Sequence, residues 1–459
     1  MKRVLFVLLA ALSFGVARAE VLGDYEVKVR PVEGEWRTIE TFRWQVDKTV
    51  GTRHQAADVS IAKFDFEGEV EVSVTSLRGD VDSVRIRPLS FGITPKLEGR
   101  TVSFRLSEPR YLSVEMNGEI FGNLHLFADA PLQKPKKSRG RRIISFGPGV
   151  HKLEGDSLAI PSNTTVWIDK DAVIKGWLSV WRAHDVKIIG HGIVDPGRHE
   201  GIMVKHSSNV EIDGLLTTQI PVGGSRNVSV RNAKAISWYN WGDGMNVFAS
   251  RNVSYHNVFC RTSDDCSTIY CTRNGYAGSC DSITVERAIY WADTAHPIMI
   301  GLHGDTARNE TITNVVYRDI DILDQAENQI DYQGCIAINN GDNIRVSGLL
   351  FDNIRIESIR KGMLFNFRVC YNKKYCAAPG RGIDNVTVSN LTYSGAEPNI
   401  SIITGYDESR PVGNITFRNL RINGLHVSDG MAGRPRWYKT SDMARIFVGE
   451  HVGNVVFEE

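Results

Sequence analysis

The sequence predicts an all-β protein: an N-terminal β-sandwich followed by a parallel β-helix. Three observations predict it. Residues 20 to about 130 alternate apolar and polar side chains in short runs. From Ile143 onward a unit of the form Asn-apolar-x-apolar recurs. No segment carries an extended helical period.

The chain opens MKRVLFVLLAALSFGVARAE, with Lys2 and Arg3, an apolar run from Val4 to Leu12, and Ala17-Arg18-Ala19. This reads as a signal peptide over residues 1–19, so the mature chain is expected to start near Glu20, periplasmic or secreted. The apolar run is too short to span a bilayer, and no membrane insertion is expected. With 54 basic and 53 acidic residues, the chain offers no charge field for nucleic acid.

Within 20–142, runs such as YEVKVRPV, VEVSVTSL, TVSFRLS and YLSVEM have the period of half-buried strands, broken by Gly, Pro and Asp turns. They predict the sandwich. The segment PLQKPKKSRGRR then brings six basic residues between Lys134 and Arg142. It reads as a solvated linker, with a basic substrate strip as the competing interpretation.

In 143–459 the unit recurs as NVEI (209), NVSV (227), NVSY (252), NIRV (343), NVTV (385), NITF (414) and NVVF (454), with degenerate copies at 185, 281 and 310. Repetition at this period means a solenoid, a propeller or an array. Short β-branched strands, one Asn at a fixed turn and uneven loops fit stacked coils that share one core. The repeat itself generates the Asn-x-Ser/Thr sequons, so they do not imply glycosylation.

All seven cysteines lie beyond residue 250. In an oxidising compartment some should pair. Cys370–Cys376 and Cys271–Cys280 are the expected disulfides, with Cys335 odd. Metal binding competes, but no CxxC spacing occurs and no metal or cofactor is expected.

The chemistry concentrates in GDGMNVFASRNVSYHNVFCRTSDDCSTIY (242–270). Asp264 follows Asp243 by 21 positions, close to one coil, so the two carboxylates can share a face on successive coils. Asp265 joins them only if the doublet sits at a bend, because neighbouring strand residues face opposite ways. His296 follows 32 positions after Asp264. Trp238, Tyr239 and Trp241 before Asp243 and Trp291 before His296 offer flat faces on which sugar rings stack. Two carboxylates on opposite sides of a sugar are what inverting glycoside hydrolysis requires. The competing interpretation has Asp264 and Asp265 capping a turn and Asp243 holding its own loop.

The order Asp-Gly, Asp-Asp, then His in a Gly-rich apolar stretch resembles the clan that holds the family 28 polygalacturonases and the family 49 dextranases and isopullulanases. SDDCSTIY, HPIMIGLHGD and residues 146–176 resemble family 49 in particular, as does the N-terminal sandwich. The resemblance implies a right-handed β-helix and an inverting hydrolase. Asp264 then matches the general acid, and Asp243 and Asp265 match the pair that serves water. His296 and His303 are expected to tune the acid or hold the substrate, and Tyr270 to contact the substrate. Polygalacturonases also carry an Arg-Ile-Lys grip on the substrate carboxylate. This chain has none, and residues 326–340 are neutral to acidic. A neutral α-glucan such as dextran is therefore the expected substrate, with Asp331, Tyr332 and Asn339 bonding its hydroxyls. A pectin hydrolase is the alternative. A polysaccharide lyase, with Arg261 as the nearest base, and a non-catalytic carbohydrate-binding solenoid are the rivals. The expected partner is a polysaccharide or oligosaccharide, met by a monomer.

Overall fold

The structure is a computed structural model that describes residues 23–51 and 53–459. The expected signal peptide, 1–19, lies outside the described residues. No described helix is long and apolar enough to cross a membrane.

The N-terminal unit stacks two five-stranded sheets. One runs in the order Arg37–Ile39, Tyr25–Pro31, Val70–Ser76, Thr101–Leu106, Lys96–Glu98. The other runs Thr41–Asp47, Ala56–Asp65, Leu124–Asp129, Arg110–Met116, Val84–Arg87. Val70, Val72 and Val74 alternate with half-exposed residues and fill the space between the sheets. The second sheet is different: every residue of Leu124–Asp129 is buried. Its outer face is covered too, because Val59, Ile61, Tyr111 and Phe127 pack against Ile193, Leu216, Phe259, Ile289 and Trp291 of the solenoid. The sandwich therefore lies along the flank of the solenoid. The basic stretch 134–142 is largely exposed and mostly without strand structure.

From Arg142 to Glu458 the chain winds through 30 strands as a right-handed parallel β-helix. One coil comprises Arg251–His256, Phe259–Thr262 and Ser267–Tyr270, and the next comprises Cys280–Glu286, Ile289–Ala292 and Ile298–Gly301. The two coils pair strand on strand, with Val253 against Ile283, Cys260 against Tyr290 and Ile269 against Ile300. The repeated apolar position forms one interior stack: Val210, Val228, Val253, Ile283, Val315, Leu349, Val386, Ile415.

The repeated Asn adopts a left-handed backbone, with φ of 55° at Asn209, 55° at Asn227 and 52° at Asn252. Asn tolerates that region better than other side chains with a Cβ. The amides form a ladder, Asn252 Nδ2 donating to Asn227 Oδ1 at 2.8 Å and Asn227 Nδ2 to Asn209 Oδ1 at 3.0 Å. Asn343 is not a rung of it. It bonds back to the carbonyls of Thr306 and Arg308, and the register gives that coil's rung to Gly348, φ 72°.

The two expected disulfides are absent, since all seven cysteines are free thiols in this structure. Cys271 and Cys280 donate instead to the carbonyls of Thr311, at 3.5 Å, and Tyr270, at 3.2 Å. Cys370 and Cys376 lie in mutual hydrogen-bond contact.

Candidate active site

The three aspartates meet because coil length and register coincide. Met245 pairs with Ser267, and Ile269 with Ile300. Counting back two residues from Met245, from Ser267 and from Ile298 puts Asp243, Asp265 and His296 at one position on three successive coils. Backbone bonds run alongside, from Gly244 N to Asp265 O at 2.9 Å and from Cys266 N to His296 O at 2.8 Å. The glycines around Asp243 follow from this stacking. A Cβ on Gly244 would lie 2.4 Å from Cys266 O, and one on Gly242 would lie 2.2 Å from Ser263 Oγ.

Asp264 and Asp265 occupy the bend between Phe259–Thr262 and Ser267–Tyr270. Thr262 Oγ1 donates to Asp264 O at 2.7 Å and Asp265 N to Asp264 Oδ1 at 3.1 Å, which fixes the turn. The bend lets both side chains belong to one cluster. Asp243 and Asp264 are half-buried, and Asp265 is buried.

Their partners differ. Asp265 Oδ1 accepts from His296 Nδ1 at 2.7 Å and from His296 N at 3.2 Å, while Oδ2 accepts from Tyr270 OH at 3.1 Å. His296 Nε2 meets the carbonyl of Tyr332. With an acceptor at each ring nitrogen, the imidazole is suited to carry two protons. Burial opposes that charge, but Asp265, Glu327 and the Tyr332 carbonyl outweigh it and raise its pKa. Asp264 has no such partner. Burial, then the charge of Asp265, push its carboxyl up to about 8. Asp243 is raised as well, by burial and then by Asp264 and Asp265, although Asn246 Nδ2 donates to its Oδ2 at 2.6 Å. The arrangement sets one carboxylate, held by His296 and Tyr270, beside two carboxyls whose proton affinity is raised by burial and by one another.

His296 is fully buried and bonded to Asp265, the acid-side place of the two expected for it. Several expected substrate contacts are corrected. His303 packs on the Tyr270 ring, centroids 4.9 Å apart, and burial, aided by Arg273, holds its pKa down at about 4. Tyr270 and Tyr332 are buried supports of Asp265 and His296, and Asn339 is fully buried. Trp291 has no exposed surface and lies between Arg87 and Arg261 at the domain junction, 4.5 and 3.9 Å from their guanidinium carbons. Arg261 itself turns toward the sandwich, donating to Asp293 Oδ2 at 2.7 Å and to Asn123 Oδ1 at 3.0 Å. It is not beside the acids. Asp331 is exposed on the turn Ile330–Tyr332. Trp241 is 81% exposed, and Gln219 Nε2 holds its carbonyl at 2.9 Å. Its φ is 59°, a strained region for a bulky residue.

Sequence reasoning singled out Tyr239 as an aromatic face but missed Asn246, Glu327 and the Gln219 and His199 that form a wall with it. Tyr239 OH donates to His199 O at 2.8 Å, and the His199 ring stacks on Trp177 at 4.3 Å. Alternation along Met245–Phe248 points Asn246 outward on the side opposite Val247, a signal that could have found it. Glu327 lies in a loop with no periodic mark.

Among the described residues, the one donor group close enough to share a cation is Asp65, Asp129 and His191, within 4.8 Å of one another. It sits at the domain junction, where Lys234 Nζ already stands 2.7 Å from Asp129 Oδ2.

A solenoid with an acid trio on successive coils defines the class of β-helical polysaccharide hydrolases. The sequence profile of glycosyl hydrolases family 28 matches residues 179–433, and the chain belongs to that family. The profile thus shows the expected clan through family 28; it does not show membership of family 49. Among solved structures, Dex49A from Penicillium minioluteum shares the fold at 14% identity, covering 95% of this chain and 94% of its own, with a TM-score of 0.54. A family 28 exopolygalacturonase from Yersinia enterocolitica matches at 11% identity over 91% of this chain and 99% of its own, TM-score 0.47. An endo-xylogalacturonan hydrolase from Aspergillus tubingensis matches at 16% over 68% and 87%, TM-score 0.42. No curated protein matches the chain.

Proposed function

We propose that this protein is an inverting glycoside hydrolase that cuts a polysaccharide at the Asp243–Asp264–Asp265 cluster. The observation that carries the proposal is the stacking of Asp243 and Asp265 on adjacent coils with Asp264 at the intervening bend. Asp264 gives its proton to the glycosidic oxygen as the bond to the anomeric carbon breaks. Water attacks that carbon from the opposite face and loses its proton to the Asp265–Asp243 pair. The hydrogen bonds from His296 and Tyr270 keep Asp265 oriented, and Trp241 offers a stacking face beside Asp243.

Residues 326–340 supply no cation, which favours a neutral sugar at the cleavage point. The α-glucan reading rests on the family 49 resemblance. The family 28 profile favours a second one, a pectic galacturonan. The enzyme acts as a monomer outside the cytoplasm in either case. A lyase is disfavoured because Arg261 is buried and paired away from the acids.

The test is release of reducing ends from a polysaccharide panel by wild type and Asp264→Asn. Loss of the acid should cost about 10²–10⁴ in rate on the natural linkage, and less on a substrate with an activated leaving group. Unsaturated, ultraviolet-absorbing products would support a lyase. Binding without cleavage, unchanged in Asp264→Asn, would support a carbohydrate-binding module.

A further inference from the structure

The second sheet of the N-terminal sandwich lies between the first sheet and the solenoid, so the first sheet turns its outer side away from the solenoid. Strand alternation puts polar residues on that side. Arg30, Glu71 and Arg105 stand opposite one another on three neighbouring strands. Arg30 Nε donates to Glu71 Oε2 at 2.6 Å, and Arg105 Nη2 donates to Glu71 Oε1 at 2.8 Å. Counting back two residues from Lys96, which pairs with Ser103, puts Thr94 beside Arg105. At the other end of the row, the Arg30 guanidinium carbon lies 4.6 Å from the centroid of the Trp36 ring.

These residues line a groove of about 690 Å³ that crosses the strands. Ligand sites enclose roughly 300–1,000 Å³. From Arg30 to Thr94 the groove spans three strand steps of ~4.8 Å, or ~14 Å, and Trp36 extends it. Its charges are already paired. Arg30 and Arg105 share Glu71, Glu69 stands 3.6 Å from Arg105, and Lys96 meets Glu98 at 2.6 Å. Exposed ion pairs add little to folding, and Trp36, 42% exposed, adds less than a buried indole would. Stability therefore does not account for an ordered polar row that ends at an open aromatic face. A sugar chain does. The C–H face of a pyranose stacks on an indole, and its hydroxyls both donate and accept, which matches guanidinium and carboxylate groups held side by side.

We propose that this groove is a carbohydrate-binding site, separate from the acids, that takes a short stretch of a neutral polysaccharide. Trp36, held in place by Arg30, stacks on one ring. Arg30 and Arg105 donate their remaining N–H groups to hydroxyl oxygens along the chain, and Glu71 accepts from hydroxyls with the lone pairs the arginines leave. With each cation paired, the groove has no free charge to offer an anionic sugar. The site holds the protein on its polymer through the sandwich, and it does not depend on the chemistry assigned to the acids.

Affinity electrophoresis of the full chain reads this without catalysis. Asp264→Asn, and the same protein with Trp36→Ala, Trp36→Phe or Trp241→Ala added, are run through gels containing dextran, pullulan, barley β-glucan, galactomannan or polygalacturonate. At least one neutral polymer should retard Asp264→Asn. Trp36→Ala should weaken that retention about fivefold, the equivalent of ~1 kcal/mol, whether Trp241 is present or replaced, and Trp36→Phe should restore most of it. Because Trp36 is exposed, Trp36→Ala should unfold at the temperature of its parent, so that the loss reports binding and not folding. Retention that Trp36→Ala leaves unchanged would overturn the proposal. So would a Trp36 effect that disappears once Trp241 is replaced, which would trace the binding to the acids. Trp36-dependent retention by polygalacturonate and by no neutral polymer would overturn the neutral assignment. If wild type releases no reducing ends from any polymer while the Trp36 effect holds, the catalytic reading fails and this site stands.

Discussion

Replacing Asp264 by Asn should make the protein more stable at alkaline pH while it removes activity. The native state holds the Asp264 proton far more tightly than the unfolded chain, with the carboxyl pushed from 3.8 up to about 8 by burial and by Asp265. A raised carboxyl costs native stability as pH climbs from the unfolded value toward the folded one, and the cost levels off above it. Each tenfold change in proton affinity is worth ~1.4 kcal/mol, so the whole shift sets a ceiling of ~6 kcal/mol. Solvent reaches the half-buried carboxyl, and the neighbouring acids share the repulsion, which brings the expected gain down to about 1–2 kcal/mol. Asn keeps the shape and accepts the same bond from Asp265 N. The assay is thermal unfolding of both proteins from pH 4.5 to pH 8. The advantage of Asp264→Asn should grow through that window. A variant less stable than wild type at pH 8, or a difference flat with pH, would refute the reasoning.

Other perturbations separate the roles assigned above. Because Asp264 must be protonated to act, kcat/KM should fall about tenfold per pH unit above a midpoint near 8, read from initial rates. Trp241→Ala should leave stability within ~0.5 kcal/mol and raise KM about fivefold through lost stacking of ~1 kcal/mol. Trp291→Ala should do the opposite, costing about 3–5 kcal/mol of stability through a buried cavity, seen as a lower unfolding temperature. Arg261→Met should destabilise by about 3–5 kcal/mol, since Asp293 would lose its main buried partner; a variant as stable as wild type would remove the interdomain clamp from the account.

Much of this architecture was legible because period and register are the same fact in a solenoid. An Asn at one turn, repeated, predicts a stack, and the side chains of Asn209, Asn227 and Asn252 form one. The 21 positions from Asp243 to Asp264 predict neighbouring coils for the same reason. What a one-dimensional repeat does not specify is which of three sheets meets solvent. Trp291 stands five residues before His296 in sequence, yet its strand belongs to the sheet under the sandwich, while His296 precedes the sheet that carries the acids. Arg261 is three residues before Asp264 and separated from it by the same corner. Leu124–Asp129 alternates only weakly and is buried on both faces, because the solenoid covers the side that an isolated sandwich would expose. Asn343 has the local sequence of a rung, but the register, set by the long strand Arg345–Ile356, gives the rung to Gly348. Glu327 carries no motif at all, and only the folded chain relates it to the acids.

The most direct test of the central claim is proton NMR of the sugar released in the first seconds of hydrolysis, before the anomers equilibrate. With Asp264 as acid and water activated at Asp265 and Asp243, the new reducing end must appear first with the anomeric configuration opposite to that of the bond cut. A product that first appears with configuration retained would contradict the account, because it requires a covalent sugar–enzyme intermediate that this arrangement does not assign.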